Sequence, residues 1–199
     1  MDDYQEDQIE PYLLYDAVRI LDTPLEDLHY QAIESQFPWV KKGRLIWVRK
    51  PDFDCVVYWQ KPDRSFIVLN GKRKLEDISD LLRANIGRLP GQLFGSELAA
   101  ALRKLTVEPR GFLADRSFVE KMRPYLSSWA PSKDLERVLI SECRDAALRP
   151  GNNAWTLEFR YINPRGGIEG WIGHGDTERV TTLDMNTVVP DGTFRFPYR

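Results

Sequence analysis

The chain has 199 residues, of which 42% are hydrophobic and 12% are aromatic, so it can bury a sizeable core and is not globally disordered. No apolar run approaches the roughly 18 residues that a membrane span requires. The acidic N-terminus lacks the positive and apolar regions of a signal peptide, which predicts a cytoplasmic location and no membrane partner.

The formal net charge of −2 conceals an uneven distribution. Residues 1–38 carry ten acids and one base, a net charge of −9, whereas residues 39–74 carry ten bases and three acids, a net charge of +7. Residues 75–199 carry 17 of each sign. This segregation predicts either that the acidic segment lies on the basic segment and neutralises it, or that one of them steers a charged partner.

The N-terminal segment has the apolar spacing of helices. A first helix is predicted from Tyr12 to Leu21, and a second begins at Thr23-Pro24-Leu25-Glu26, which combines an N-cap, a proline at the first helical position and a capping-box glutamate. The apolar face of this second helix would run from Leu25 through Leu28 and Ile33, and Phe37-Pro38 would end it.

Three runs of β-branched and aromatic residues follow between Arg44 and Asn70. Pro51-Asp52 and the polar stretch 61–64 separate these runs. Such an arrangement is typical of an antiparallel meander.

A block of about four helices comes next. Apolar residues recur at helical spacing after Lys74, and the following helices are predicted to begin at the capping residues Ser96, Asp115 and Ser132. The last helix would carry an apolar face as far as Ala146 and would be closed by Pro150-Gly151.

Residues 154–196 are predicted to form a second antiparallel meander. Apolar and polar residues alternate without interruption from Trp155 to Tyr161, as expected of a strand with one buried face. A second strand would cover Ile168 to Ile172, and Gly173 to Asp176 would form a turn. The order meander, helices, meander predicts an α+β fold in a single domain, with two lobes divided near residues 71–95 as the alternative.

The sequence offers little support for metal or cofactor chemistry. Two histidines and two cysteines, none at ligand spacing, cannot assemble a typical zinc site, and no phosphate-binding loop is present, so neither a metal nor a cofactor is expected. Cys55 and Cys143 fall on apolar faces and are expected to be buried free thiols. Burial would also make Cys143 unreactive as a partner for His174, so no residue is assigned a catalytic role.

An enzymatic alternative places a ligand site around His174. Gly173 and Gly175 would let a ligand approach the backbone, and Asp176 could orient the imidazole ring. A glycine-rich hairpin turn explains the same residues without a ligand.

A second alternative is nucleic-acid binding by the basic aromatic meander of residues 44–74. Aromatic rings would stack on bases while flanking cations follow the phosphates. The chain as a whole is acidic, however, and contains no RRM, KH or cold-shock pattern. The residues of this site would be Trp47, Arg49, Lys50, Trp59, Lys61, Lys72, Arg73 and Lys74.

The interpretation that we favour is a non-enzymatic cytoplasmic binding or regulatory protein. Its acidic, tyrosine-bearing N-terminal segment would engage a protein partner electrostatically, in the manner of an inhibitor or immunity protein that covers a basic surface. Nothing in the sequence defines an oligomeric state. The partner-binding residues would be Tyr4, Tyr12, Tyr15, Asp16, Asp22, Glu26 and Asp27.

Overall fold

The structure is a computed structural model that describes residues 9–51 and 54–195. Two antiparallel sheets and a set of helices make up these residues, so the predicted α+β class is confirmed. The helices are α1 (Pro11–Leu21), α2 (Lys74–Ile86), α3 (Gly95–Thr106), α4 (Arg116–Met122), α5 (Leu126–Trp129) and α6 (Lys133–Glu142). The strands are β1 (His29–Ala32), β2 (Arg44–Arg49), β3 (Cys55–Gln60), β4 (Phe66–Val68), β5 (Phe112–Leu113), β6 (Ala147–Pro150), β7 (Ala154–Ile162), β8 (Ile168–Asp176) and β9 (Val180–Val189).

The first sheet has the strand order β1-β2-β3-β4, and we call it sheet 1. Its last three strands are the predicted N-terminal meander. Leu45 pairs with Trp59 and Trp47 with Val57, which places the large apolar side chains of β2 and β3 on a common face. This face packs against the helices at the centre of the protein.

The second predicted N-terminal helix is wrong. Its residues form a 3₁₀ turn at Leu25–Asp27, the strand β1 and a 3₁₀ turn at Glu34–Gln36. Leu28 is buried in the cluster beneath α1, whereas Ile33 belongs to the central core and its backbone N–H donates to the Leu45 carbonyl at 2.9 Å. Two apolar residues that the helical spacing placed on one face are therefore drawn to different clusters, and tertiary packing overrides the local helix signal.

Helix α1 forms as predicted and packs on the face of sheet 1 that points away from the central core. Leu13, Ala17 and Leu21 are buried there. The residues of sheet 1 in this cluster are Ile46, Val48, Val56 and Tyr58. Full burial of a leucine side chain contributes about 1.5–3 kcal/mol, so these contacts supply much of what holds α1 in place.

One hydrophobic core joins sheet 1, α2, α3 and the second sheet. Leu81 and Leu82 of α2 lie in this core, as do Leu98 and Leu102 of α3. A division into two lobes near residues 71–95 would cut through this packing. The single-domain organisation remains a prediction, and the shared core supports it.

The second sheet, sheet 2, has the order β5-β7-β8-β9, with β6 paired to β7. Strand β7 shows the predicted alternation, because Trp155, Leu157, Phe159 and Tyr161 are all buried while the intervening residues are partly exposed. The last helix ends at Glu142, earlier than predicted: residues 143–146 are irregular, and β6 begins at Ala147.

The turn predicted at Gly173–Asp176 is also wrong. Strand β8 runs unbroken through these residues, and the chain reverses only after Asp176. A Cβ atom on Gly175 would lie 2.2 Å from the Trp155 ring, and one on Gly173 would lie 3.7 Å from it. Gly175 therefore admits a bulky indole beneath the strand instead of reversing the chain, whereas the 3.7 Å contact at Gly173 is an ordinary van der Waals distance.

Helix capping follows the prediction at two of three positions. The Asp115 carboxylate accepts a hydrogen bond from the Phe118 N–H at 2.7 Å, and the Ser132 hydroxyl accepts one from the Leu135 N–H at 3.2 Å. Ser96 is not a cap, since α3 begins at Gly95 and the Phe94 N–H donates to the Glu97 side chain. Among the described helices, none is long and apolar enough to cross a membrane.

We expect Leu13→Ala to lower the free energy of unfolding by about 2–5 kcal/mol, because it leaves a cavity between α1 and sheet 1. Ile20→Ala is the matched control, since this residue lies on the exposed side of the same helix and should change stability by less than about 0.5 kcal/mol. Urea denaturation measures both variants. If Leu13→Ala and Ile20→Ala lowered the free energy of unfolding by equally small amounts, the burial of the α1 face that carries Leu13 would be contradicted.

Candidate functional site

The N-terminal segment presents a surface that is both aromatic and acidic, which we call the acidic face. Tyr12 and Tyr15 are 76% and 65% exposed on α1. Tyr4, the remaining tyrosine predicted to bind a partner, lies outside the described residues. The acidic face comprises the exposed side chains Tyr12, Tyr15, Ile20, Asp22, Leu25, Glu26, Asp27 and Tyr30.

Three carboxylates of the acidic face have no cationic partner in the part of the chain that the structure describes. Within residues 9–51 and 54–195, Asp22, Glu26 and Asp27 form no ion pair, and all three are exposed. Their charge therefore extends into solvent, where it can attract a cationic surface.

Asp16, by contrast, points inward. Its carboxylate accepts hydrogen bonds from the Tyr58 hydroxyl at 3.1 Å and from Arg19 at 2.7 Å. Burial, followed by the nearby charge of Asp16, raises the pKa of Tyr58, so the phenol stays protonated and keeps donating. Asp16 thus anchors α1 to sheet 1, and its carboxylate is already engaged within the protein.

The acidic segment also makes contacts with the basic meander. Glu10 forms an ion pair with Arg64 at 3.5 Å, and Glu34 forms one with Arg44 at 3.2 Å. These pairs lie near the two ends of the acidic segment. Internal neutralisation therefore accounts for part of the charge segregation and leaves the carboxylates of the acidic face unpaired.

Strand β1 extends the acidic face along an open sheet edge. Tyr30 lies opposite Val48, whose side chain belongs to the cluster beneath α1, so Tyr30 is on the α1 side of sheet 1. Because Ile33 donates to Leu45, the alternation of an antiparallel pair turns the backbone groups of Tyr30 and Ala32 away from β2. The sequence analysis missed this edge because it assigned β1 to a helix.

The aromatic rings of the nucleic-acid alternative are not at the surface. Trp47 and Trp59 are only 7% and 3% exposed, and both belong to the central core. Arg49 lies 5.5 Å from the Trp47 ring centroid, and Lys61 lies 5.4 Å from the Trp59 ring centroid. In this conformation neither indole can stack on a base, because its faces are already occupied.

The cations of that alternative lie on separate elements. Lys50 pairs with Asp54 at 3.1 Å at the end of β2, and Arg73 pairs with Glu76 at 2.6 Å at the start of α2. Lys72 is exposed beside Arg73, and Lys74 is half-buried. Nucleic-acid binding remains a prediction that depends on these cations alone.

His174 lies within β8 and is exposed on the outer face of sheet 2. Its Nδ1 atom is 3.1 Å from the Thr156 hydroxyl on β7. The Asp176 carboxylate accepts hydrogen bonds from the Glu178 and Arg179 N–H groups, at 2.7 and 2.9 Å, and so stabilises the turn instead of orienting the imidazole. Among residues 9–51 and 54–195, Thr156 is the hydrogen-bond partner of the His174 ring, and no carboxylate pairs with it.

Both cysteines are free thiols in environments that suppress reactivity. Burial raises the pKa of Cys55 to about 11 and that of Cys143 to about 12. Cys143 is buried beneath α6, in the cluster that contains Phe118 and Trp129. A nucleophilic thiolate is therefore scarce at neutral pH, as the sequence predicted for Cys143.

A buried charge network was missed by the sequence analysis. Arg103 on α3 is 2% exposed and binds Glu169 on β8 through two hydrogen bonds of 2.7 and 3.1 Å. The same carboxylate accepts hydrogen bonds from Trp171 Nε1 at 2.8 Å and Asn163 Nδ2 at 3.2 Å. The Arg103 guanidinium also lies 4.7 Å from the Tyr161 ring centroid.

A cavity of about 470 Å³, lined by both polar and apolar side chains, adjoins this network. Glu108 lines it, pairs with Arg110, and has a pKa raised chiefly by burial. The period-two spacing of β8 could have revealed this network. It places Glu169 on the same face as the buried Trp171, and a carboxylate on a buried face needs a buried cation. The charges of Arg103 and Glu169 satisfy each other, which makes this pair a structural element that fixes α3 against sheet 2.

Comparisons of the chain with models of protein families, with characterised proteins and with solved structures find no match.

We expect Arg103→Met to destabilise the protein by about 3–5 kcal/mol, because it leaves the Glu169 carboxylate buried without its cation. The double variant Arg103→Met/Glu169→Leu should be less destabilised than the sum of the two single variants by more than about 1 kcal/mol. Urea denaturation of all three variants measures this coupling.

Arg83→Met provides the control, since Arg83 pairs with Asp80 at the surface and its loss should cost less than about 1 kcal/mol. Additive effects at Arg103 and Glu169 would show that the two side chains do not interact as the structure describes.

Proposed function

We propose that this protein is a non-enzymatic binding or regulatory protein whose acidic face docks on a basic surface of a protein partner in the cytoplasm. The observation that carries the proposal is the acidic face itself. Large apolar side chains are exposed next to three carboxylates that no cation of the described residues neutralises.

The aromatic part of the face has the chemistry of binding anchors. Tyrosine supplies a large, rigid contact area at low entropic cost together with a hydroxyl that tolerates water, and tyrosine is enriched at interfaces and their hot spots. Tyr12 and Tyr15 lie three residues apart, so they project from the same side of α1. Tyr30 and the edge of β1 extend the same surface.

The acidic part of the face would act mainly during encounter. Asp22, Glu26 and Asp27 are exposed and lie within six residues, so their fields add and favour a cationic partner. Charges of this kind change the association rate and its salt dependence more than the final affinity. An inhibitor- or immunity-like role, in which the acidic face covers a basic functional surface, fits a surface whose tyrosines anchor the complex and whose carboxylates speed its formation.

The proposal is tested by photo-cross-linking from the acidic face. The photo-reactive residue p-benzoylphenylalanine is introduced in place of Tyr15 in the full-length chain and irradiated in cell lysate at low and high salt. We expect a discrete protein adduct that weakens as salt rises, because screening removes the attraction between exposed charges. Mass spectrometry of the adduct identifies the partner and the charge of its contact surface.

Tyr125 is the matched control position, because it is an exposed tyrosine remote in sequence from the acidic face. The same photo-reactive residue at this position should not give the adduct. The triple variant Asp22→Asn/Glu26→Gln/Asp27→Asn should reduce the Tyr15 adduct, whereas Glu120→Gln/Asp134→Asn/Glu178→Gln, which removes the same charge from exposed acids elsewhere, should not. Equal adducts from both positions, or equal loss with both triple variants, would refute the proposal.

A further inference from the structure

A cluster of arginines surrounds a cavity of about 490 Å³ beside the outer face of sheet 2. We call this cavity the arginine pocket. Arg160 of β7 projects from the face opposite the buried Phe159, and Arg149 of β6 and Arg144 line the same space. The cavity is within the range of about 300–1,000 Å³ that small-molecule sites occupy.

Arg160 is the unusual member of the cluster. Among the described residues its guanidinium donates no hydrogen bond. The side chain is 26% exposed, but its Nε atom is buried without an acceptor. Its nearest carboxylate is that of Glu142, at 3.7 Å from Nε, which is too long for a hydrogen bond. A guanidinium carries five N–H donors in a fixed plane, and leaving a buried donor unsatisfied costs about 1–3 kcal/mol.

The strand beneath Arg160 is shaped to accept its side chain. Arg160 pairs in register with Gly170 on β8, and Gly170 pairs with Asn186 on β9. A Cβ atom on Gly170 would lie 2.1 Å from the Arg160 Nη1 atom and 2.6 Å from the Asn186 Oδ1 atom. Only glycine at this position lets the guanidinium lie across the strand towards Asn186.

The charges around the pocket do not cancel. Arg149 is paired with Glu158 at 3.1 Å, and the Asp145 carboxylate is engaged by Arg116 at 3.7 Å. Arg144 and Arg160, in contrast, share the single carboxylate of Glu142, at 4.0 and 3.7 Å. Two guanidinium groups facing one carboxylate leave one positive charge in excess.

We infer that the arginine pocket binds the phosphate group of a small phosphorylated molecule. The planar fork of an arginine matches the oxygens of a phosphate, and charge-assisted hydrogen bonds to it would satisfy the donors of Arg160. Arg144 lies at the rim of the pocket with its side chain 65% exposed. Its guanidinium can contact the anion from the side opposite Arg160. The pocket is lined by other residues than the acidic face, so the inference does not depend on the proposed partner.

The test is a titration of the ¹⁵N-labelled protein with inorganic phosphate, followed by amide chemical shifts at constant ionic strength. We expect saturable shifts at the amides of Arg160, Gly170 and Asn186. Acetate at the same concentrations is the second arm, and it should bind more weakly because it offers fewer acceptor oxygens and less charge. Equal binding of acetate and phosphate would overturn the assignment of the anion, and an absence of saturable shifts would overturn the site.

Arg160→Gln should weaken phosphate binding by about tenfold or more, since it removes the charged donors. Arg144→Gln, at an exposed position that folding does not require, should weaken it to a smaller extent. Arg137→Gln is the control, because this arginine is exposed on α6 and pairs with Asp134 outside the pocket. Undiminished binding by Arg144→Gln and Arg160→Gln would overturn the site, and the Arg144 result stands even if Arg160→Gln fails to fold.

Discussion

The packing of α1 on sheet 1 is the constraint on which the rest of the N-terminal region depends. The outer face of sheet 1 is covered by Leu13, Ala17 and Leu21, and the Asp16 carboxylate accepts a hydrogen bond from the Tyr58 hydroxyl. Because a helix has one orientation that buries this stripe, Tyr12 and Tyr15 must face solvent. The α1 part of the acidic face is thus a consequence of core packing, and Tyr12 and Tyr15 are held on a docked helix before any partner arrives.

The fold pairs some of the charges that are segregated along the sequence and leaves others exposed. Glu10 and Glu34 neutralise part of the basic meander directly, and the exposed carboxylates near Glu26 remain available. Within residues 75–199, whose charges sum to zero, Arg103 is buried and fully paired with Glu169, whereas Arg160 is partly exposed and its Nε atom has no hydrogen-bond acceptor among the described residues. Net charge along a sequence therefore says little about which individual charges are free to bind.

The elements with strong periodic patterns were predictable from the sequence. The strand β7 and the helices α1 and α2 follow directly from spacing, because each buries one face of a regular element. The strands β2 and β3 are buried on both faces, and their runs of β-branched and aromatic residues predicted them. The segment 23–37 was mispredicted because its two apolar anchors, Leu28 and Ile33, belong to different clusters, which only the tertiary structure reveals.

Side-chain accessibility was harder to predict than secondary structure. The sequence pattern predicted a stacking surface at Trp47 and Trp59. The two indole rings are covered, because β2 and β3 lie between α1 and the central core. The turn predicted around His174 failed for a related reason, since Gly175 makes room for Trp155 within a continuous strand. Arg160 was not singled out because its isolation depends on neighbours from β8 and on Glu142, which are distant in sequence.

The most direct measurement of the central claim is native-state hydrogen exchange of the amides in α1. If α1 is docked through its apolar stripe, the amides from Tyr15 to Leu21 will be protected to nearly the same free energy as those of β2 and β3, because the helix cannot open without exposing the sheet. Exchange of the α1 amides at the rate of an unfolded peptide, while β2 and β3 remain protected, would contradict the docking and with it the surface that the helix is proposed to present.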